Sequence, residues 1–367
     1  MSPLLIFLLV IHGLIHFMGL AKAFKLAEIS ALSREVSKPW GILWGLAGLL
    51  LLISALGVLF FPLQWWMLGW LAVLLSQILI FSSWRDARFG TLANLLILIP
   101  LAVNFGQFQF VNQTQTERQE IQATLRSNLP AAPTHLSETE IQALPPVIQK
   151  WLRRSGLIGT PLYPALQIRQ SGEMRTHPEG AWMPFQAEQL FRTDQPAFLW
   201  QTRVEMMPGV FLVGRDWLWQ GKGQMSIKAL ALLPVVNAQG PEIDQGSFLR
   251  YLGEMIWFPA AVLQPWLKWE ALTETSVRAT LSWQHQSVSG VFEFSPEGDF
   301  RCFEALRYYG DATPAKLEKW RVEAEPDSFQ NFGRQRMASR YRVIWKLKSG
   351  DFLWLKLKIE THESQGL

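Results

Sequence analysis

Apolar residues run almost unbroken through four stretches of the first 110 residues, at about 3–20, 40–61, 65–81 and 91–105. None contains Asp, Glu, Lys or Arg, and each approaches the ~20 apolar residues that cross a ~30 Å hydrocarbon core. The pattern predicts four transmembrane helices in a region spanning 1–110. The second stretch is apolar throughout, whereas the fourth is interrupted by Asn94, Pro100 and Asn104. Such residues imply packing inside a bundle, where neighbours satisfy the freed polar groups.

From 107 to 144 the composition turns to Gln, Thr, Glu, Asn and Pro, which predicts a polar tether over 111–144 with a short amphipathic helix in TERQEIQATLRSNL. A helix is expected at 146–155, with Pro in its first turn, Gly156 at its end, and Val147, Ile148, Trp151 and Leu152 on one face. Beyond Ala165 the period becomes two. Phe198, Trp200, Thr202, Val204 and Met206 alternate with Leu199, Gln201, Arg203 and Glu205, as in a half-buried antiparallel strand. Strands are likewise expected at 182–191, 210–220, 224–230, 280–287, 291–294, 300–308, 320–325, 339–347 and 352–360. One helix interrupts them at 245–263, capped by Asp244 and stopped near Pro259, with Phe248, Leu249, Leu252, Met255 and Ile256 at helical spacing. The fold class expected is an α+β membrane protein: four transmembrane helices, then a mainly antiparallel β domain over 145–367, a curved sheet or half-barrel of about eleven strands with packed helices.

Charge sets the orientation. The connection after the first stretch carries Lys22, Lys25, Arg34 and Lys38, the connection after the third carries Arg85 and Arg88, and the link 62–64 carries none. Positive residues mark the cytoplasmic side, so both termini and the β domain are expected on the periplasmic or extracellular face of the cytoplasmic membrane. The first stretch lacks a basic leader and is followed by Lys22 and Lys25 where a cleavage site would need small residues, so it reads as retained. Trp40, Trp44, Trp65, Trp66 and Trp84 fit interfacial anchors. The 367 residues hold 34 Lys and Arg against 30 Asp and Glu. Past residue 110 the balance is only +1, which gives a nucleic-acid partner no basic patch.

Chemistry is sparse. Cys302 is the only cysteine, which excludes an internal disulfide or a thiolate cluster and reads as a small buried side chain. His12 and His16 lie one helical turn apart inside the first stretch and are candidate intramembrane polar residues, for a metal or proton relay or simply for hydrogen bonds that set helix register. They fall short of the three or four ligands of a zinc site, and no metal or other cofactor is expected. In the central helix Arg250 and Glu254 sit at i and i+4 beside Tyr251 and Trp257. These four are the candidate ligand-binding residues, the charged pair as a polar floor and the rings as walls. Since Arg preceding Glu is the weaker helical order, a further partner for Arg250 elsewhere in the domain is expected. No Walker, G-x-S-x-G, G-x-G-x-x-G or H-E-x-x-H pattern occurs, so a binding protein is expected rather than an enzyme.

Three stretches, IHGLIHFMGLAKAF (11–24), PPVIQKWLRRSG with LQIRQSGEMR (145–175) and GSFLRYLGEMIWFPAAVL (246–263), resemble an uncharacterised family of bacterial membrane proteins whose soluble part is a domain of unknown function. The family implies no activity. In element order the domain is similar to the LolA/LppX half-barrel of lipid and lipoprotein carriers, which implies an apolar ligand at the cell envelope: a lipid, an acyl chain or a lipoprotein. Four membrane spans depart from a shuttling carrier. The competing expectation is a structural or regulatory module that binds another envelope protein through a sheet edge or the linker.

Overall fold

A computed structural model describes residues 3–127, 134–310 and 316–365. Residues cluster into two units, one of residues 1–113 with 230–232, the other of 114–229 with 233–367.

The first unit is built from α1 (Pro3–Ala23), α2 (Lys38–Phe60), α3 (Trp66–Ser82), the single turn α4 (Trp84–Ala87) and the start of α5 (Gly90–Ser127). Three helical stretches, Pro3–Ala23, Lys38–Phe60 and Gly90–Thr124, are long and apolar enough to cross a membrane, and Trp66–Ser82 is a shorter apolar helix. Small residues let α1 and α2 approach closely: a Cβ on Gly48 would fall 2.7 Å from the carbonyl oxygen of Gly13. Asn94 and Asn104 are buried, as their place in a bundle requires. Asn104 donates to the Pro62 carbonyl (2.6 Å). Ser33, in the first basic connection, donates from its backbone N–H to Asp86 in the second (2.8 Å), so the two basic connections lie at the same end of the bundle.

The expected tryptophan belt is corrected in part. Trp40 and Trp84 are exposed, but Trp44 and Trp65 are buried within the bundle, Trp44 against His16 with ring centroids 5.1 Å apart. Where close packing is available, an aromatic ring buries more apolar surface between helices than at an interface.

The expected tether is helical over much of its length. The fourth apolar stretch and the amphipathic segment form the one helix α5, whose second half turns Ile121 into an apolar cluster with Leu190, Leu199, Trp217 and Trp219. The remainder of the tether includes residues 128–133, outside the described residues, and the short helix α6 (Glu138–Ile141), closed by a capping box of Ser137 and Glu140.

The second unit is dominated by thirteen antiparallel strands: β3 (Ala165–Met174), β4 (Met183–Arg192), β5 (Ala197–Met207), β6 (Val210–Trp219), β7 (Lys222–Ala229), β8 (Leu233–Gln239), β9 (Leu267–Ala271), β10 (Ser276–Trp283), β11 (Gln286–Phe294), β12 (Phe300–Tyr309), β13 (Lys316–Ala324), β16 (Arg340–Leu347) and β17 (Gly350–Gln365). Two short pairs, β1 (Thr134–His135) with β2 (Pro161–Leu162) and β14 (Phe329–Phe332) with β15 (Gln335–Ala338), complete the strands. The sheet order is β8-β7-β6-β5-β4-β3-β17-β16-β13-β12-β11-β10-β9. The two halves of the chain therefore meet where β17 pairs with β3, and β8 and β9 are the edges. The sheet curves into a half-barrel, and α7 (Pro146–Arg154) and α8 (Pro241–Glu254) contribute Ile148, Trp151, Phe248 and Leu252 to the core on its inner face.

Three local expectations change. The strand placed at 280–287 straddles a hairpin turn in which Gln284 takes φ 52°, because alternation alone does not register a two-residue turn of polar residues. β3, β8 and β9 lie outside the expected strand ranges: for β3 only the change of period at Ala165 marks its start, and the edge strands β8 and β9, half in water, lack a clear apolar face. The central helix begins at Pro241 with Gly240 as its N-cap. Asp244 is inside the first turn and instead accepts from the Gly223 backbone N–H (2.7 Å) and Lys222 Nζ (2.9 Å), pinning the helix to β7. The segment after Glu254 continues as two 3-10 turns, Met255–Trp257 and Pro259–Ala261.

Candidate functional site

The inner face of the half-barrel encloses a cavity of about 220 Å³. Its walls follow from strand alternation. Trp200, Thr202 and Val204 come from one face of β5, Leu212 and Gly214 from β6, Met225 and Ile227 from β7, and Val322, Val343 and Leu357 from the strands across the sheet. Glycine at 214 leaves no room for more, since a Cβ there would meet Thr202 Cγ2 at 2.8 Å. The helical segment over the cavity contributes Arg250, Glu254 and Trp257.

The apolar wall is interrupted by a buried polar cluster. Arg250 donates through Nε to Glu254 (2.9 Å), through Nη1 to Asp216 on β6 (2.5 Å) and through Nη2 to Gln189 on β4 (3.3 Å). Gln189 donates in turn to the other Glu254 oxygen (2.8 Å), Gln170 to Gln189 (3.2 Å), and Trp200 Nε1 to Gln170 (2.9 Å). The Arg250 guanidinium also lies 5.0 Å from the Phe198 ring centre and 4.8 Å from that of Trp200. Burial pushes the Glu254 carboxyl above its ordinary range despite Arg250. For Arg250, burial opposes the charge, but Glu254 and Asp216 together outweigh it and hold the guanidinium charged.

Of the four candidate residues, Arg250, Glu254 and Trp257 border the cavity, whereas Tyr251 does not. Tyr251 is fully buried, donates to the Arg192 carbonyl (2.8 Å) and packs on Phe258 and Trp266. One residue along a helix is a rotation of ~100°, which carries Tyr251 away from the face that Arg250 and Glu254 share. Trp257 packs edge-on against Phe191 and Tyr341. The further partner expected for Arg250 is Asp216. Gln189, Asp216 and Arg307, which also borders the cavity, escaped the sequence reading. A polar residue in a strand gives no sign of which neighbours the register will bring to it, although Asp216 between Arg215 and Trp217 in an otherwise apolar strand was one available signal.

His12 and His16 lie together in the first unit, ring centroids 4.6 Å apart. His12 Nε2 hydrogen-bonds with Asn94 (3.0 Å) and Ser76 (3.2 Å), and Asn94 donates to Gln77 (2.9 Å). His16 Nδ1 bonds the His12 carbonyl (2.8 Å). These bonds tie α1 to α3 and α5. Among the described residues no group of three His, Cys, Asp or Glu side chains gathers to hold a metal.

The curated proteins contain no match to the chain. Among solved structures it is similar to one named for an outer membrane lipoprotein-sorting protein domain from Vibrio parahaemolyticus, with 8% identity, 60% of this chain and 92% of that one covered, and a TM-score of 0.30. That likeness is too weak to bear on function. A family described as a family of unknown function, DUF6544, matches residues 134–357. The match takes in the cavity walls, the polar cluster and more than half of the sequence, and the chain belongs to the DUF6544 family.

Proposed function

We propose that this protein is held in a cell-envelope membrane by its apolar helices and that its half-barrel binds an apolar ligand of the acyl-chain class. The observation that carries this reading is the cavity: apolar walls of Trp, Met, Val, Leu and Ile with a few polar groups among them, the usual make-up of a small-molecule site. Arg250 and Glu254 form its polar floor and Trp257 part of its wall. A volume of about 220 Å³ is below the roughly 300–1,000 Å³ of pockets that take drug-sized ligands, so the occupant is one short chain or the end of a longer one. The short basic connections favour a cytoplasmic location for their end of the bundle, with the half-barrel on the outer side.

Native mass spectrometry of the full chain released from detergent micelles tests the reading. A retained adduct of single-chain mass is expected, and it should vanish in Ile227→Trp, which fills the cavity from β7. A chain that never carries an adduct, or one that Ile227→Trp leaves unchanged, overturns it.

A second reading has one observation in its favour. β8 is an edge strand with Leu233 and Val235 exposed, an arrangement that can accept a strand from another protein. For the histidine pair, the bonds to Ser76 and Asn94 support a role in setting helix register.

A further inference from the structure

We infer that the ligand carries an anionic head, a carboxylate or phosphate at the end of a single alkyl chain, and that Arg307 on β12 receives it. The inference rests on the apolar-ligand reading and specifies the ligand's class.

Arg307 differs from the other cations around the cavity in having no side-chain acceptor among the described residues. Arg215 is engaged by Glu117 (2.6 Å), and Arg250 is shared among Asp216, Glu254 and Gln189. The carboxylates that face the cavity are thus already bonded by Arg250, and the second Glu254 oxygen is taken by Gln189. Among the described residues the Arg307 side chain makes neither a hydrogen bond nor an ion pair, although its cross-strand neighbour on β13 is Glu318. Its guanidinium lies 4.9 Å from the centre of the Trp320 ring, and α8 passes close by, a Cβ on Gly246 falling 3.1 Å from Arg307 Nε. These contacts fix the group in place while its donors stay unused.

A guanidinium has five N–H donors and stays charged in proteins, and in half-buried Arg307 they are matched by no acceptor among the described residues, so an anion that meets them gains a charge-assisted contact. Burial lowers the Arg307 pKa to about 10, with Asp216 and Glu254 acting against that trend and Arg250 with it. An arginine at about 10 remains charged at neutral pH. A planar carboxylate or a phosphate matches the fork of its donors, and the apolar walls from β5 to β7 take the chain. The site therefore has the two-part character of an amphiphile: a cation without a partner beside a greasy slot too small for several chains.

The test uses the full chain in phosphatidylcholine nanodiscs and a diazirine derivative of decanoate, with the crosslink mapped by mass spectrometry. Decanoate, decyl phosphate and decanol serve as competitors. Crosslinks on cavity residues such as Met225 and Trp200 are expected, with decanoate or decyl phosphate competing about tenfold to hundredfold better than decanol, the range set by one charge-assisted contact. Whichever anion competes better identifies the head. In Arg307→Gln that preference should disappear while decanol competes as before, which also shows that the variant is folded. Arg307→Lys should recover part of it. Equal competition by anions and decanol, or a preference unchanged in Arg307→Gln, overturns the anionic-head inference and leaves the apolar-ligand reading standing. Crosslinks outside the cavity for every probe overturn both.

Discussion

Arg250 is the residue on which the polar end of the cavity is assembled, because three side chains from two strands and its own helix converge on it. Truncating it removes the cation hydrogen-bonded to two buried carboxylates. Arg250→Ala should lower the stability of the half-barrel by ~3–5 kcal/mol, the cost of orphaning a buried pair, read as a fall in thermal midpoint of the full chain in detergent. The sequence made half of this cluster visible. Arg250 and Glu254 are one helical turn apart and their meeting is local, whereas Asp216 and Gln189 arrive through strand register from 34 and 61 positions away. Tyr251 shows the converse: its neighbour Arg250 faces the cavity, but one residue along the helix turns Tyr251 towards the Arg192 carbonyl. Cys302 was read as a buried small residue, and its thiol does lie buried, donating to Glu293 (3.2 Å). Burial and the Glu293 carboxylate push that thiol up to about 12. Because the native value lies above the ordinary 9.0, the thiol favours the folded state at any pH below about 9, and this contribution fades as pH climbs towards 12. Native protein at pH 7 should react with a thiol reagent far more slowly than denatured protein. Equal rates would contradict the placement of Cys302.

At the scale of elements, α8 sits as close to the sheet as its glycines allow. Phe303 of β12 lies between α8 and β11, and a Cβ on Gly253 would come within 2.7 Å of its ring, one on Gly290 within 2.2 Å. Gly253→Val should therefore push α8 outwards, cost ~1–3 kcal/mol as overpacked cores do, and shift Arg250 and Trp257 enough to weaken any ligand the cavity holds. The period-two pattern was legible wherever a strand has one wet face and one dry one, as in β5. It set no bounds for β3 beyond a change of period at Ala165, and it failed at the edges β8 and β9, which lack that contrast, and at the Gln284 turn. The helical period was legible in α7 to within a residue. It did not reveal that the fourth apolar stretch continues into the amphipathic one, since the polar residues between them read as a tether while remaining compatible with a helix. Within the bundle, the bonds among His12, Ser76 and Asn94 join α1, α3 and α5. Replacing Asn94 by Leu should lower bundle stability by ~0.6–1.7 kcal/mol, the range for interhelical hydrogen bonds in membranes, and leave metal content unchanged.

For the whole molecule, sequence reading recovered the division into apolar helices and an antiparallel half-barrel because both rest on periodicity and length. It points to a pocket floored by Arg250 and Glu254 but not to the strand residues that line it, which depend on the faces the curved sheet turns inward. The proposed orientation rests on Lys22, Lys25, Arg34, Lys38, Arg85 and Arg88, all in short connections. Protease added to right-side-out membrane vesicles should digest the half-barrel, and protease added to inverted vesicles should spare it. The central claim is that the half-barrel holds an acyl chain, and the most direct measurement places a photoreactive amino acid at Met225, on the cavity wall, in the full chain expressed in its own membrane, with the neighbouring Gln224 as control. Irradiation should attach an acyl-chain mass to the Met225 position and not to the Gln224 position. A Met225 position that stays unmodified, or that captures protein instead, would contradict the account.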